Sequence, residues 1–170
     1  MEHGKVNKEL IKCLAKARFL SKRNVGISAT RSDGSECSIE NDIDATGAEY
    51  YAAQQFGAPF DSSIGKSGDG GSDFSLNVSV EVVWLGRDKK TGKPRTQGNL
   101  IINPHEPQRW ADIYIVIGGS IDDGFYDIGW MSHKELISNP QKDFGYGPRF
   151  AVGIERLRPT KQLKTLLRNI

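Results

Sequence analysis

Two acidic residues, Asp73 and Glu81, lie in the stretch 73–85, which reads DFSLNVSVEVVWL. The stretch begins with Asp73, turns at Leu76-Asn77 and continues as a strand that carries Glu81. An acid within so apolar a strand is costly to bury unless it binds something. Carboxylate oxygens are the ligands that hard divalent cations prefer. We therefore hypothesise that Asp73 and Glu81 share a divalent cation; the alternative is that Glu81 points to water.

Side chains alternate between the two faces of a strand, so this strand presents two different surfaces. One face is an apolar row of Val78, Val80, Val82 and Trp84. The other face carries Ser79, Glu81, Val83 and Leu85. Because Val prefers burial, Val83 beside Glu81 argues against a fully solvated face and favours a cleft.

Basic residues are concentrated in two segments, although the net charge is only +2. Residues 1–31 contain eight Lys or Arg against Glu2 and Glu9, a local net charge of +6. The segment 86–95 contains one acid, Asp88, and five cations: Arg87, Lys89, Lys90, Lys93 and Arg95. Such clusters suggest a polyanionic partner; the alternative is an ordinary solvated charged face.

Other features restrict the class of protein. A chain of 170 residues is expected to form one domain, residues 1–170. Its two cysteines do not indicate a disulfide framework, which favours a reducing cytoplasm. We expect no membrane partner, because no apolar run approaches membrane-spanning length. Gly65-Lys66-Ser67 lacks the first glycine of a phosphate-binding loop, because Phe60 stands there, so we reject nucleotide binding.

The elements around the acids predict an α/β (α+β) fold with a mixed central sheet flanked by helices. Helical periodicity predicts a basic N-terminal helix over 5–22, packed on or next to the core, and a second helix over 40–56. Strands follow at 73–85, 99–103, 112–117, 125–130 and 150–157, with short helices at 132–137 and 159–167. The basic turn 86–98 is predicted to join its two flanking strands as a hairpin arm.

The ordered set of acids resembles the PD-(D/E)xK nucleases, the superfamily with the restriction-endonuclease-like fold. The resemblance covers about residues 40–135 and rests on Glu49 in GAEYYAAQQFG, Asp73 in GGSDF and Glu81 in VEVVW. It implies that Asp73, Glu81 and the carbonyl of Val82 hold Mg²⁺ or Mn²⁺, and that Glu49 holds a second metal or a metal-bound water. On the residues alone, a Glu in a helix such as Glu49 is ordinarily a surface residue.

One position departs from the family pattern, because Val83 stands where the family has a catalytic Lys. That Lys orients or deprotonates the attacking water, and Val can do neither. Three explanations remain open: the role has moved to Lys66, Lys93 or Gln97, the protein is a natural inactive relative that binds DNA, or the chain is an inactivated variant.

The resemblance implies a Mg²⁺-dependent DNA endonuclease, of the kind found in phages and mobile elements. It implies the catalytic set Glu49, Asp73, Glu81 and the Val83 position, and it admits a homodimer. The predicted DNA contacts are Lys66, Arg87, Lys89, Lys90, Lys93 and Arg95. The alternative functions are a non-catalytic DNA-binding protein on the same fold and an enzyme acting on another phosphate ester.

Overall fold

The computed structural model describes residues 6–24, 38–62 and 73–168. The elements in chain order are α1 Lys8–Asn24, α2 Ile39–Phe56, β1 Phe74–Ser75, β2 Ser79–Trp84, β3 Asn99–Ile102, β4 Ile113–Ser120, β5 Gly124–Ser132, α3 His133–Ile137, β6 Gln141–Asp143, β7 Pro148–Gly153 and α4 Thr160–Arg168. The mixed α+β class predicted from the sequence is therefore confirmed. Within the described ranges, no helix combines the length and apolar character needed to cross a membrane.

The central sheet has four strands in the order β1-β2-β4-β5. It is mixed, because β2 pairs with β4 in parallel while β1 and β5 are antiparallel to their neighbours. Every residue of β4 is buried. A strand buried on both sides needs a cover on each face of its sheet. The two covers differ in kind, and that difference decides the surroundings of the candidate acids.

Helices α1 and α2 cover one face of the central sheet. Val80 and Val82 of β2 are buried there with Ala48 and Tyr51 of α2 and with Ile11 of α1. Close packing depends on Gly47, since a Cβ at that position would lie 2.6 Å from the ring of Phe125. The predicted second helix, 40–56, is confirmed as α2. The Ser38 side chain caps its start, and Gly57 ends it in the left-handed conformation.

A second sheet covers the other face, and the sequence did not predict it. It has three antiparallel strands in the order β3-β7-β6. Leu100 of β3 and Val152 of β7 are buried in one apolar cluster with Tyr114 and Val116 of β4. The predicted hairpin between β2 and β3 is therefore wrong as a strand pair, because β3 pairs with β7. In the central sheet the neighbours of β2 are β1 and β4.

The strand predicted over 112–117 stops before Gly118, but β4 continues through Gly118 and Gly119. Gly118 and Gly119 pair with Tyr126 and Phe125 of β5. A Cβ on Gly118 would lie 2.5 Å from the Tyr126 ring, and Gly119 has a φ of 99°. These positions need Gly because of contacts across the sheet, so their local appearance as a stop is misleading.

Asp127 is a half-buried acid on β5, facing α4. Its Oδ1 has no hydrogen-bond partner among the described residues. Burial raises the pKa of Asp127 above its ordinary value, and the positive charge of Lys164 on α4 opposes this only in part. The Asp127 carboxyl therefore ionises at lower pH in the unfolded chain than in the folded protein. The stability of the fold is lost as pH rises through the folded-state pKa of Asp127.

We predict that Asp127→Asn stabilises the protein at pH 7 by about 1 kcal/mol, near the lower limit for an unsatisfied buried group. Asn cannot ionise, so the gain should shrink as pH falls and vanish below the ordinary pKa of Asp. Urea denaturation across that pH range measures the difference, with Glu9→Gln as the control because the Glu9 side chain is 86% exposed. A gain that does not depend on pH would contradict the electrostatic origin.

Candidate functional site

The β1–β2 hairpin brings Asp73 beside β2, the strand that carries Glu81. The paired positions are Ser75 with Ser79 and Phe74 with Val80, and the regular pairing ends there. Asn77, with a φ of 65°, makes the tight turn that permits this pairing. The predicted turn at Leu76-Asn77 and the strand that follows it are thereby confirmed.

Asp73 is bound to the backbone of β2. It is 7% exposed, and its Oδ2 accepts a hydrogen bond of 2.5 Å from the backbone N–H of Val82. Its own N–H donates to the carbonyl of Val80 at 2.8 Å. The N–H and C=O of a strand residue point to the same neighbour, so the Val82 carbonyl is directed to the edge where Asp73 lies. A carboxylate and a carbonyl therefore share this edge of the sheet.

Glu81 is half-buried on the face that the second sheet covers. The parallel register places it beside Tyr114 of β4. Burial, with the negative charge of Glu81 as a smaller cause, raises the pKa of Tyr114 to about 12. Tyr114 is therefore a neutral hydroxyl at physiological pH.

Tyr114 and His133 form a polar pair beside Glu81 that the sequence did not reveal. The Tyr114 hydroxyl lies 2.9 Å from Nδ1 of His133, and the rings of His133 and Trp110 are 4.7 Å apart. Burial lowers the pKa of His133, opposed by the charge of Asp112. The only sequence signal was indirect, since the approach of these residues to Glu81 depends on the register of β4 against β2.

Val83 lies on the same face as Glu81, as the alternation of the strand predicted. It packs against the apolar cluster that contains Leu85, Val116 and Leu100. Its neighbour in the parallel register is Val116, which is fully buried. The position at which the family pattern places a Lys is thus lined by apolar side chains.

Glu49 forms an ion pair with α1. Its Oε2 accepts a hydrogen bond of 2.8 Å from Arg18, and the two side chains are only 19% and 16% exposed. Arg18 also donates to the carbonyl of Asp61 at 2.5 Å. In the described part of the chain, no three or more acidic, His or Cys side chains form a group that could hold a metal ion. Glu49, Asp73 and Glu81 therefore do not form one carboxylate cluster.

The basic turn 86–98 follows β2 directly, and hydrogen bonds within the turn order its backbone. Its backbone closes through hydrogen bonds from Arg95 N–H to the Gly86 carbonyl and from Asp88 N–H to the Lys93 carbonyl, both 2.9 Å. Hydrogen bonds from Thr91, chiefly from its backbone N–H, hold the pKa of Asp88 below its usual value.

Five of the six predicted DNA-contact residues lie in this turn, and they differ in exposure. Arg87 is turned inward, where its Nε donates to the fully buried Asp44 of α2 at 2.7 Å. The side chains of Lys89, Lys90, Lys93 and Arg95 are exposed. Lys66 lies outside the described residues. At about 3.3 Å per strand residue, Gly86 lies about 16 Å beyond Glu81 along β2.

The donors near this edge are of the chemical kind that a hard divalent cation prefers. The carboxylates of Asp73 and Glu81 and the carbonyl of Val82 are all oxygen donors, which Mg²⁺ and Mn²⁺ prefer. Comparison of the chain with protein-family models, with curated proteins and with solved structures found no match.

We predict that Glu49 stabilises the fold through Arg18. A double-mutant cycle with Glu49→Gln and Arg18→Met should give a coupling of about 1–3 kcal/mol, between the values typical of exposed and buried pairs. The matched control is the exposed Lys12–Glu9 pair at 3.8 Å, for which we expect less than about 0.5 kcal/mol. If Glu49→Gln left the unfolding free energy unchanged but weakened metal binding, Glu49 would belong to the metal site.

Proposed function

We propose that this protein is a Mg²⁺- or Mn²⁺-dependent DNA endonuclease of the PD-(D/E)xK type, with Asp73, Glu81 and the Val82 carbonyl as the metal-binding set. One observation carries the proposal: the buried Asp73 carboxylate lies against β2, where it accepts a hydrogen bond of 2.5 Å from the backbone N–H of Val82, the residue that follows Glu81. This arrangement brings Asp73, one acid of the family pattern, beside the strand that carries Glu81, the other. The bond to Val82 also orients the Asp73 carboxylate before any ligand arrives.

A cation held at this edge would polarise the scissile phosphate and lower the pKa of a bound water. The contribution of the chain is to hold the oxygen donors rigidly and to bind the substrate. The exposed lysines of the basic turn suit the phosphate backbone. The separation of about 16 Å along β2 corresponds to about five base pairs of B-DNA at 3.4 Å each, so one duplex could span both features.

Asp44 has a supporting role in this proposal. Through Arg87 it fixes the basic turn to α2, and its Oδ1 accepts from the N–H of Ile121 at 2.8 Å. Arg87 also donates to the carbonyl of Gly92 at 2.9 Å, so the same guanidinium joins the turn to the helix. We therefore assign Arg87 to positioning the turn, and we propose Lys89, Lys90, Lys93 and Arg95 as the phosphate contacts.

A second candidate function is DNA binding without cleavage. The observation that favours it is the apolar surroundings of Val83 beside Val116 and Leu85. No cationic side chain can act from Val83, so a chain that cleaves DNA must place the water-orienting group elsewhere. Lys93 and Gln97 lie on the turn after β2, whereas Lys66 lies outside the described residues. The two functions differ in catalysis and share the DNA surface.

We predict that Asp73→Asn abolishes Mn²⁺ binding, measured by calorimetry, and Mg²⁺-dependent cleavage of supercoiled plasmid. The amide oxygen of Asn can still accept from Val82, so the far-UV circular dichroism and unfolding midpoint should change little. Glu155→Gln, at an exposed acid, is the control and should keep metal binding. Unchanged Mn²⁺ affinity in Asp73→Asn would reject the metal site.

Val83→Lys separates the two candidate functions in the same assays. If the native chain is an inactive nuclease, restoring a positioned cation should raise Mg²⁺-dependent cleavage by about 10²–10⁴-fold. A half-buried Lys can extend its amine past apolar neighbours, so the substitution is compatible with this site. If the native chain and Val83→Lys both bind DNA without cleaving it, and neither binds Mn²⁺, the non-catalytic function holds.

We predict that the basic turn supplies part of the DNA affinity. Replacing Lys89, Lys90 and Lys93 together with Gln should weaken duplex binding and reduce the slope of log affinity against log salt by about two to three. A charge-matched control replaces the exposed Lys134, Arg156 and Lys161 with Gln. Fluorescence anisotropy at several salt concentrations measures both slopes, and equal losses in the two variants would exclude the turn as the specific DNA face.

A further inference from the structure

The hairpin between β6 and β7 displays aromatic rings at the surface. We define its tip as residues 143–148, which read DFGYGP. The rings of Phe144 and Tyr146 are stacked, with centroids 6.0 Å apart and planes at 19°. Phe144 is 38% exposed and belongs to the exposed large apolar side chains of the described residues. An exposed aromatic ring can stack on a planar ligand.

The carboxylate of Asp143 organises the backbone of the tip. Oδ1 of Asp143 accepts hydrogen bonds from the N–H groups of Gly145 and Gly147, at 2.7 and 3.2 Å. Both glycines have a φ of 94°, a conformation that side-chain-bearing residues rarely adopt. The rings are therefore held in place before a ligand binds, which lowers the entropic cost of binding.

Two cations face each other next to the rings. Lys142 of β6 lies directly opposite Arg149 of β7 in the strand register. Directly opposed like charges destabilise a strand pair, and among the described residues neither cation forms an ion pair. The guanidinium of Arg149 also lies 5.4 Å from the centre of the Tyr146 ring. An anion bound between Lys142 and Arg149 would relieve their repulsion.

We propose that the tip binds an unpaired nucleotide, which stacks its base on Phe144 and places its phosphate between Lys142 and Arg149. This inference rests on the proposed DNA function and narrows its substrate to DNA with single-stranded or splayed bases. A flat base and an adjoining phosphate together match an aromatic face beside two cations. Bases paired inside a duplex present no face to the tip, so the surface discriminates between the two forms of DNA.

The test compares a single-stranded oligonucleotide carrying one 2-aminopurine with the same strand annealed to its complement. The native protein should bind the single strand more tightly and change the 2-aminopurine fluorescence. Phe144→Ala should weaken single-strand binding by about 10- to 100-fold, the range for loss of one stacked base, and leave duplex binding unchanged. Phe144→Trp keeps a stacking face and should retain the affinity. Leu166→Ala, which removes a 49% exposed apolar side chain from α4, is the matched control.

Two outcomes would overturn the inference: Phe144→Ala weakens both forms of DNA equally, or it changes neither. Both leave the proposed endonuclease intact, because cleavage and Mn²⁺ binding are measured separately. Conversely, a native chain that never cleaves DNA but loses single-strand binding in Phe144→Ala would reject the endonuclease and support the tip. Circular dichroism of each variant confirms that an affinity loss reflects the removed ring and not unfolding.

Discussion

The structure depends on the complete burial of β4. This strand reads DIYIVIGGS with the preceding acid, and its residues from Ile113 to Ser120 are all buried. Its backbone groups are paired with β2 on one side and β5 on the other, so its stability requires apolar covers above and below the sheet. Helices provide one cover and the three-stranded sheet provides the other. The second sheet therefore covers the face that carries Glu81, and Glu81 itself is half-buried there.

Charge pairing joins the helical layer to the rest of the fold. Asp44 is fully buried, and burial raises its pKa, but hydrogen bonds from Arg87 and from the N–H of Ile121 oppose the shift. Glu49 is similarly held by Arg18. Removing one partner of a buried ion pair leaves an unpaired buried charge, which costs about 3–5 kcal/mol of stability. Two basic residues from segments that read as polyanion-binding are thus used to fix α1 and the basic turn to α2.

Three surface features support the proposed DNA function. The Asp73–Glu81 edge has the oxygen donors for a divalent cation, the basic turn continues from the same strand, and the aromatic tip projects from the second sheet. Two features do not fit a fully equipped nuclease site: the apolar surroundings of Val83, and Glu49, which pairs with Arg18 and does not cluster with the other two acids. Without a Lys at Val83, catalysis would need a proton-transfer group from outside β2, whereas DNA binding would not. DNA binding and DNA cleavage therefore differ in what they require of a single side chain, Val83.

Local sequence signals were sufficient for most elements, because their causes are local. Alternation in 78–85 predicted the two faces of β2, and the short helix predicted at 132–137 is α3, which begins with a Ser132–Glu135 capping box. The approach of Asp73 to β2 could be predicted from sequence, because a tight turn brings the two arms of a hairpin together. The mixed α+β class followed from the order of these elements.

Only the tertiary structure decided which distant groups meet. The pairing of β3 with β7, the short strand β6 and the approach of Tyr114 to Glu81 all depend on contacts between segments far apart in the chain. The partners of Glu49 and Arg87 were equally hidden, since a Glu or Arg on a helix or turn has the same local signature whether it faces water, DNA or an opposite charge. Long-range packing chooses among these environments, and no local pattern records that choice.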